Sequence, residues 1–339
     1  MAARGAPTGL ATGIGSLPGD DIDGAMALAF DELPDLPHLP ELPDRGPGAD
    51  MIGRTATHLA DLPVDLQPAG WRLVDRPGFD LRRGRDLMSR DLDALMPVAG
   101  PAYDGRLKLQ LVGPWTLAAN VELPRGGRVL GDPGAVHDLG ESLAETVREH
   151  LVEVARRTPS ARLVLQIDEP SLPAVMAGHV RTASGFGALR IPEPATVQAL
   201  LSGVISAAAD VPVVVHCCAA QAPLRMFRDA GAAAVSIDAL TMQPDRDAVG
   251  ELVEAGVAIW LGVVSSLGPG VAPTPRAVAD PVRRLWHELG FAPELLPDAV
   301  AITPTCGLAG ASPGWAHSAY RVLRQAARAL AEAPEGTSV

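Results

Sequence analysis

The sequence predicts an α/β fold, a single-domain (β/α)8 barrel of the TIM type. Short apolar runs alternate with longer amphipathic ones over residues 11–333, with no linker-like break. Most of the short runs, such as Val211-Pro212-Val213-Val214-Val215, are continuously apolar, which suits parallel strands buried on both faces. Polar residues gather at the C-terminal ends of those runs, where such barrels place their active sites. The competing fold is an open doubly wound sheet, which would often carry a Gly-rich fingerprint after its first strand. Gly13-Ile14-Gly15-Ser16-Leu17-Pro18 is not that fingerprint, because Pro18 and Gly19 stand where a helix should already be running.

The elements follow in order. Residues 11–16 read as the first strand and 21–33 as a helix. Residues 34–48 are proline-rich and read as loop, with a short second strand between Leu39 and Ile52. Residues 51–62 fit neither period cleanly. Helices are then read at 85–96, 134–157, 194–209, 223–230, 245–255, 275–289 and 313–333. Strands are read at 107–112, 163–167, 211–215, 233–237, 257–264 and 299–303. That gives seven clear strands and a short eighth. Residues 1–10 are left as an N-terminal tail and 334–339 as a disordered C-terminal tail around a domain at 11–333.

Composition narrows the function. The chain is 47% hydrophobic and 20% charged, enough to bury a large core. A net charge of -12 argues against a nucleic-acid or anionic-membrane surface. No uninterrupted apolar run is long enough for a membrane span, and the N-terminus lacks the apolar stretch of a secretory signal. A cytoplasmic location is therefore expected. The single lysine, Lys108, reads as a by-product of a GC-rich coding bias.

Three cysteines are too few and too scattered for a disulfide framework. Their placement points to a metal instead. His216-Cys217-Cys218 closes one predicted strand and Cys306 follows another. Zinc favours thiolate and imidazole, and three protein ligands leave a position open for chemistry. Ser16, Gly113-Pro114-Trp115-Thr116, Asp168-Glu169-Pro170 and Asp238 also fall at strand ends. Six strand ends would thus converge on one face. The bland readings are cysteines packed as small hydrophobes, an Asp168-Glu169 pair serving as a helix cap, and Asp238 as a solvated carboxylate.

These residues carry a resemblance. Thr12-Gly13-Ile14-Gly15-Ser16-Leu17-Pro18, Gly113-Pro114-Trp115-Thr116-Leu117, Gln166-Ile167-Asp168-Glu169-Pro170-Ser171-Leu172, Val215-His216-Cys217-Cys218, Ser236-Ile237-Asp238 and Thr303-Pro304-Thr305-Cys306-Gly307-Leu308 occur in family order over residues 12–308. The chain resembles the catalytic C-terminal barrel of the cobalamin-independent methionine synthases, in its short stand-alone form. The resemblance implies a zinc-dependent methyltransferase that moves a methyl group onto the thiol of homocysteine or a close thiol. It implies zinc ligands His216, Cys218 and Cys306, with Asp238 at the family's glutamate position. Aspartate is one methylene shorter, so Asp238 either reaches the metal or orients His216 through its other nitrogen. Asp168 and Glu169 are similar to the residues that receive the substrate amine, and Gly15 and Ser16 to the segment that holds its carboxylate. Cys217 would point away and pack as a hydrophobe.

The family's catalytic histidine has no counterpart here: the matching stretch is Gly262-Val263-Val264-Ser265-Ser266-Leu267-Gly268-Pro269. No catalytic acid is therefore assigned. The methyl donor stays open between a folate and a corrinoid, with a corrinoid protein as a candidate partner. Two other readings stay open: a uroporphyrinogen-decarboxylase-like enzyme, and a zinc-binding relative without catalysis.

Overall fold

The computed structural model describes residues 5–182, 187–240, 245–268 and 270–336. Residues 1–4 and 337–339 of the expected tails, and Pro269 of the stretch compared with the family's histidine loop, lie outside them.

Six parallel strands form one sheet in chain order. A small antiparallel hairpin, β1 (Val64–Gln67) and β2 (Gly70–Leu73), precedes them. The sheet runs β3 (Arg106–Val112), β4 (Arg162–Asp168), β5 (Val213–Cys217), β6 (Ala234–Asp238), β7 (Ala258–Val264) and β8 (Val300–Pro304). The helices are α1 (Ile22–Glu32), α2 (Met51–Ala56), α3 (Phe79–Ala99), α4 (Pro114–Asn120), α5 (Pro133–Arg157), α6 (Leu172–Met176), α7 (Pro194–Ser206), α8 (Leu224–Asp229), α9 (Arg246–Glu254), α10 (Pro275–Glu288), α11 (Leu296–Ala299) and α12 (Pro313–Glu332). At least one helix lies between each pair of consecutive strands of the sheet, as parallel connections demand.

Side chains alternate across the strands and so sort into two cores. Leu165, Ile167, Val215, Val235, Ile259, Leu261 and Ile302 face the helices and belong to the main core. Val164, Val214, Ala234, Trp260 and Ala301 occupy the opposite face, where Leu10 and Leu36 join them in a smaller core. Each fully buried Leu, Ile or Val contributes roughly 1.5–3 kcal/mol by leaving water. The apolar residues of the small core sit toward the starts of the strands. The polar Gln166, Asp168, His216, Ser236, Asp238 and Thr303 follow at two- and four-residue steps toward the C-terminal ends.

Local chemistry starts the helices where the sequence signals them. Asp21, Asp132, Asp245, Thr274 and Ser312 each accept a backbone N–H at a helix N-cap.

The first two predicted strands come out differently. Residues 11–16 are no regular strand. They lie in an extended segment with isolated parallel bridges, Ala11 to Ile302 in β8 and Ser16 to Glu41. Glu41 belongs to a second such segment, which bridges from His38 to Lys108 in β3. The second extended stretch is thus at 38–41, at the start of the interval where the short strand was expected. Residues 5–10 are no free tail either: Ala6 and Leu10 are buried and the Pro7 carbonyl accepts the Trp260 indole N–H at 3.1 Å. Among the described residues no helix is long and apolar enough to cross a membrane.

Candidate metal centre

Alternation puts His216 on the face of β5 opposite Cys217. Cys217 packs into the helix-facing core, 1% exposed, and burial pushes its thiol up to about 12. Cys218 follows the strand and meets Cys306, the second residue after β8, with the two Sγ atoms 3.2 Å apart. A ring nitrogen of His216 and these two sulfurs all lie within 4.8 Å of one another. The imidazole is fixed from behind, Nδ1 standing 3.0 Å from Ser236 Oγ on β6. Nε2 is buried with no hydrogen-bond partner among the described residues. An imidazole held by one nitrogen, with the other bare beside two sulfurs, is the donor set a soft or borderline metal takes. The Cys306 thiol is held toward thiolate by the hydrogen bond from Cys218 and by His216, while the same hydrogen bond and burial push the Cys218 thiol up.

Asp238 does not join this group: among the described residues no carboxylate oxygen lies within 4.8 Å of all three donor atoms. Its Oδ1 accepts the Leu240 N–H at 2.9 Å. The support of His216 that the sequence reading offered to Asp238 falls to Ser236, its neighbour two residues earlier on the same face.

Beside the group, the end of the first extended segment is packed tightly. Ser16 O accepts the Leu308 N–H at 2.8 Å, and a Cβ at Gly307 would overlap Ser16 Oγ. A side chain after Cys306 would force the Ser16 hydroxyl to move. Asp168 is 6% exposed, burial raises its pKa, and its Oδ1 accepts from Gln166 Nε2 at 2.7 Å.

Glu169 faces away from Asp168. Its Oε1 accepts the Trp115 N–H at 2.9 Å, and its Oε2 accepts the Thr116 N–H at 2.9 Å and the Thr116 hydroxyl at 2.7 Å. Both oxygens are therefore committed to the N-terminus of α4, whose own cap position is Gly113 and offers no side chain. Burial pushes the carboxyl up to about 7, against the lowering pull of Thr116 and Trp115.

Sequence reading missed two buried charged residues near Asp168. Glu41, beside Gly15 and Ser16 through the backbone bridge, is 6% exposed. Burial pushes its carboxyl up to about 7, with Arg54 3.8 Å away pulling it down and Asp168 raising it further. Lys108 lies fully buried on the same sheet face, brought down to about 7 by burial while Asp168 and Glu41 draw it back up. The signal for Lys108 was present: one lysine between Leu107 and Leu109 faces the side its leucine neighbours avoid. Glu41 left none, because it sits among prolines.

The loop after β7 holds no histidine among its described residues. Ser265 accepts the Leu267 N–H through Oγ and the Trp315 indole N–H through its carbonyl, and the Ser266 N–H donates to Thr305 Oγ1.

The sequence pattern of the family described as "Cobalamin-independent synthase, Catalytic domain" matches residues 104–329. No curated protein matches the chain. Among solved structures, a B12-independent methionine synthase from Shewanella sp. W3-18-1 in complex with selenomethionine superposes with a TM-score of 0.64. It is 12% identical, and the match covers 94% of this chain and 97% of that one. At this identity the likeness shows a shared fold. The Amycolatopsis orientalis BexX/CysO complex is 14% identical over 99% of this chain and 94% of that one, with a TM-score of 0.39, too low to bear on the argument.

Proposed function

Because the chain belongs to the cobalamin-independent synthase catalytic-domain family, we propose that it moves a methyl group onto the thiol of homocysteine or a close amino-bearing thiol, with zinc as its metal. The observation that carries the reading is the bare, buried Nε2 of His216 beside the Cys218 and Cys306 sulfurs. His216, Cys218 and Cys306 would hold the metal, and Asp238, two residues beyond Ser236 on the same face of β6, would adjust the site without being one of the three. Bound zinc would supply Lewis acidity, keeping a thiol substrate deprotonated at neutral pH. Cys217 takes no part, being packed in the outer core.

The remaining residues bind and orient. Asp168 and Glu41 offer carboxylates to the substrate's ammonium on the polar side of the sheet. Gly15 and Ser16 hold the carboxylate end, pinned by the backbone bridge to Glu41 and by the contact of Ser16 with Gly307. Glu169 stays behind them as the cap of α4.

The fold reading extends in the same way. The two extended segments act as the first and second strands of an eight-stranded barrel. The Ala11–Ile302, Ser16–Glu41 and His38–Lys108 bridges support closure between β8 and β3. Closure would gather all the strand ends that carry site residues around one mouth.

For the donor, the described part of the loop after β7 offers only serine hydroxyls, which are poor acids. A donor whose leaving group needs no proton, such as a methyl-corrinoid, suits that loop better than methyl-tetrahydrofolate.

The experiment is direct. Protein purified without chelator is assayed for metal and titrated with homocysteine, and single-turnover methyl transfer is then timed with each donor. One zinc per chain, thiol binding that needs it, and methionine formation are expected. Metal-free protein that binds homocysteine as tightly as zinc-loaded protein would refute the reading, and faster transfer from the folate would refute the donor preference.

A further inference from the structure

Lys108 is the chain's one lysine and has no exposed surface. A buried ammonium is costly unless acceptors meet its donors. Here Nζ donates to the Ile14 carbonyl at 2.7 Å, to Gln166 Oε1 at 2.8 Å and to Gln110 Oε1 at 3.3 Å. An ammonium has no acceptor, so the amide oxygen of Gln166 must face it. The Gln166 NH2 group then faces the other way, donating to the Ile14 carbonyl at 2.9 Å and to Asp168 Oδ1 at 2.7 Å. Gln110 is turned likewise: its nitrogen donates to the Leu39 carbonyl, two residues before Glu41. One cation thus orients two amides, and through them the Asp168 carboxylate, the Ile14 peptide beside Gly15 and Ser16, and the segment bearing Glu41.

We propose that Lys108 is a positioning residue for amine recognition: acting through Gln166, it holds Asp168 by Oδ1 and leaves the second oxygen for the ammonium of the substrate. The inference rests on the amino-bearing thiol proposed above. Without Lys108 the Gln166 amide is free to rotate, and its oxygen can meet the Asp168 carboxylate. Asp168 then loses the donor that sets its direction, while the metal group, built from β5 and β8, keeps its own supports.

The test compares two thiols on zinc-loaded protein by calorimetry: homocysteine, and 4-mercaptobutanoate, the same thiol acid without the amino group. Wild type should prefer homocysteine. Lys108→Met should cut that preference by about 10-fold or more, the worth of one charge-assisted hydrogen bond. Zinc content should not change, and 4-mercaptobutanoate, which lacks the amine, should weaken less than homocysteine. Gln166→Leu, which keeps Lys108 with its Ile14 and Gln110 acceptors, should lose the same preference, and it serves alone if Lys108→Met does not fold. Weakening of both thiols alike would mean a merely structural lysine and would overturn the proposal, as would full retention of the preference in either folded variant. Wild-type protein that binds neither thiol would sink the functional reading itself, an outcome distinct from these.

Discussion

Glu169→Gln separates two roles for a residue whose sequence position suggests the pocket and whose contacts suggest a cap. The carboxylate takes three donors on two oxygens: the Trp115 and Thr116 amides and the Thr116 hydroxyl. Glutamine keeps one oxygen. If that oxygen takes the two Thr116 donors, the new NH2 group opposes the Trp115 N–H. The variant then loses one charge-assisted bond, about 1.5–3 kcal/mol, and strands a buried amide at about 1–3 kcal/mol. Removing a buried charge returns part of this, leaving a net loss of about 2–4 kcal/mol. In a chain of this size that corresponds to a fall in Tm of roughly 3–8 °C. The assay is thermal unfolding by circular dichroism at pH 8, paired with the two-thiol titration on zinc-loaded protein. A lower Tm with the homocysteine preference intact is expected. An unchanged Tm with the preference lost would refute the reasoning and return Glu169 to the pocket.

Other outcomes follow from the same geometry. Cys218→Ser should release the metal while Cys217→Ser keeps it, because only the first faces His216 and Cys306; equal metal content in the two purified variants would contradict the assignment. Ser236→Ala should weaken metal binding roughly 10–100-fold by freeing the His216 ring, and Asp238→Ala should weaken it less, as competition with a chromogenic chelator would show; the reverse order would make Asp238 the closer partner. Burial holds His150 down to about 3, with no partner for Nε2 among the described residues. Its folded pKa lies below its unfolded value of 6.5, so the stability it contributes is complete above about pH 6.5 and is lost as pH falls toward 3. His150→Leu should therefore flatten the fall in stability by about 1.4 kcal/mol per pH unit between pH 6 and 4. Parallel curves in urea denaturation would show that the histidine charges without cost.

The alternation of strand and helix was legible from residue 107 onward because those strands are five to seven residues long and nearly all buried. Their short length and their content of Val, Ile and Leu favour strands over helices. The hairpin of β1 and β2 was not legible, since its two four-residue strands bury few side chains each. α4 was missed for a related reason: its N-terminus is capped by Glu169, more than fifty residues away.

By itself, the sequence determined that apolar strand runs end in polar residues and that His216 and the three cysteines stand at two of those ends. Periodicity and residue chemistry are local properties, and a short window contains them. Only the tertiary structure decided which of those ends touch. Strand register placed Ser236 behind His216 and left Asp238 outside the sulfur group, although both stand on one face of β6. Side-chain alternation turned Glu169 away from Asp168. Long-range bridges brought Glu41 of a proline-rich loop beside Gly15 and Ser16, and burial made Lys108 the hub of the nearby amides. Each depends on hydrogen bonds between residues far apart in the chain, which no local pattern records.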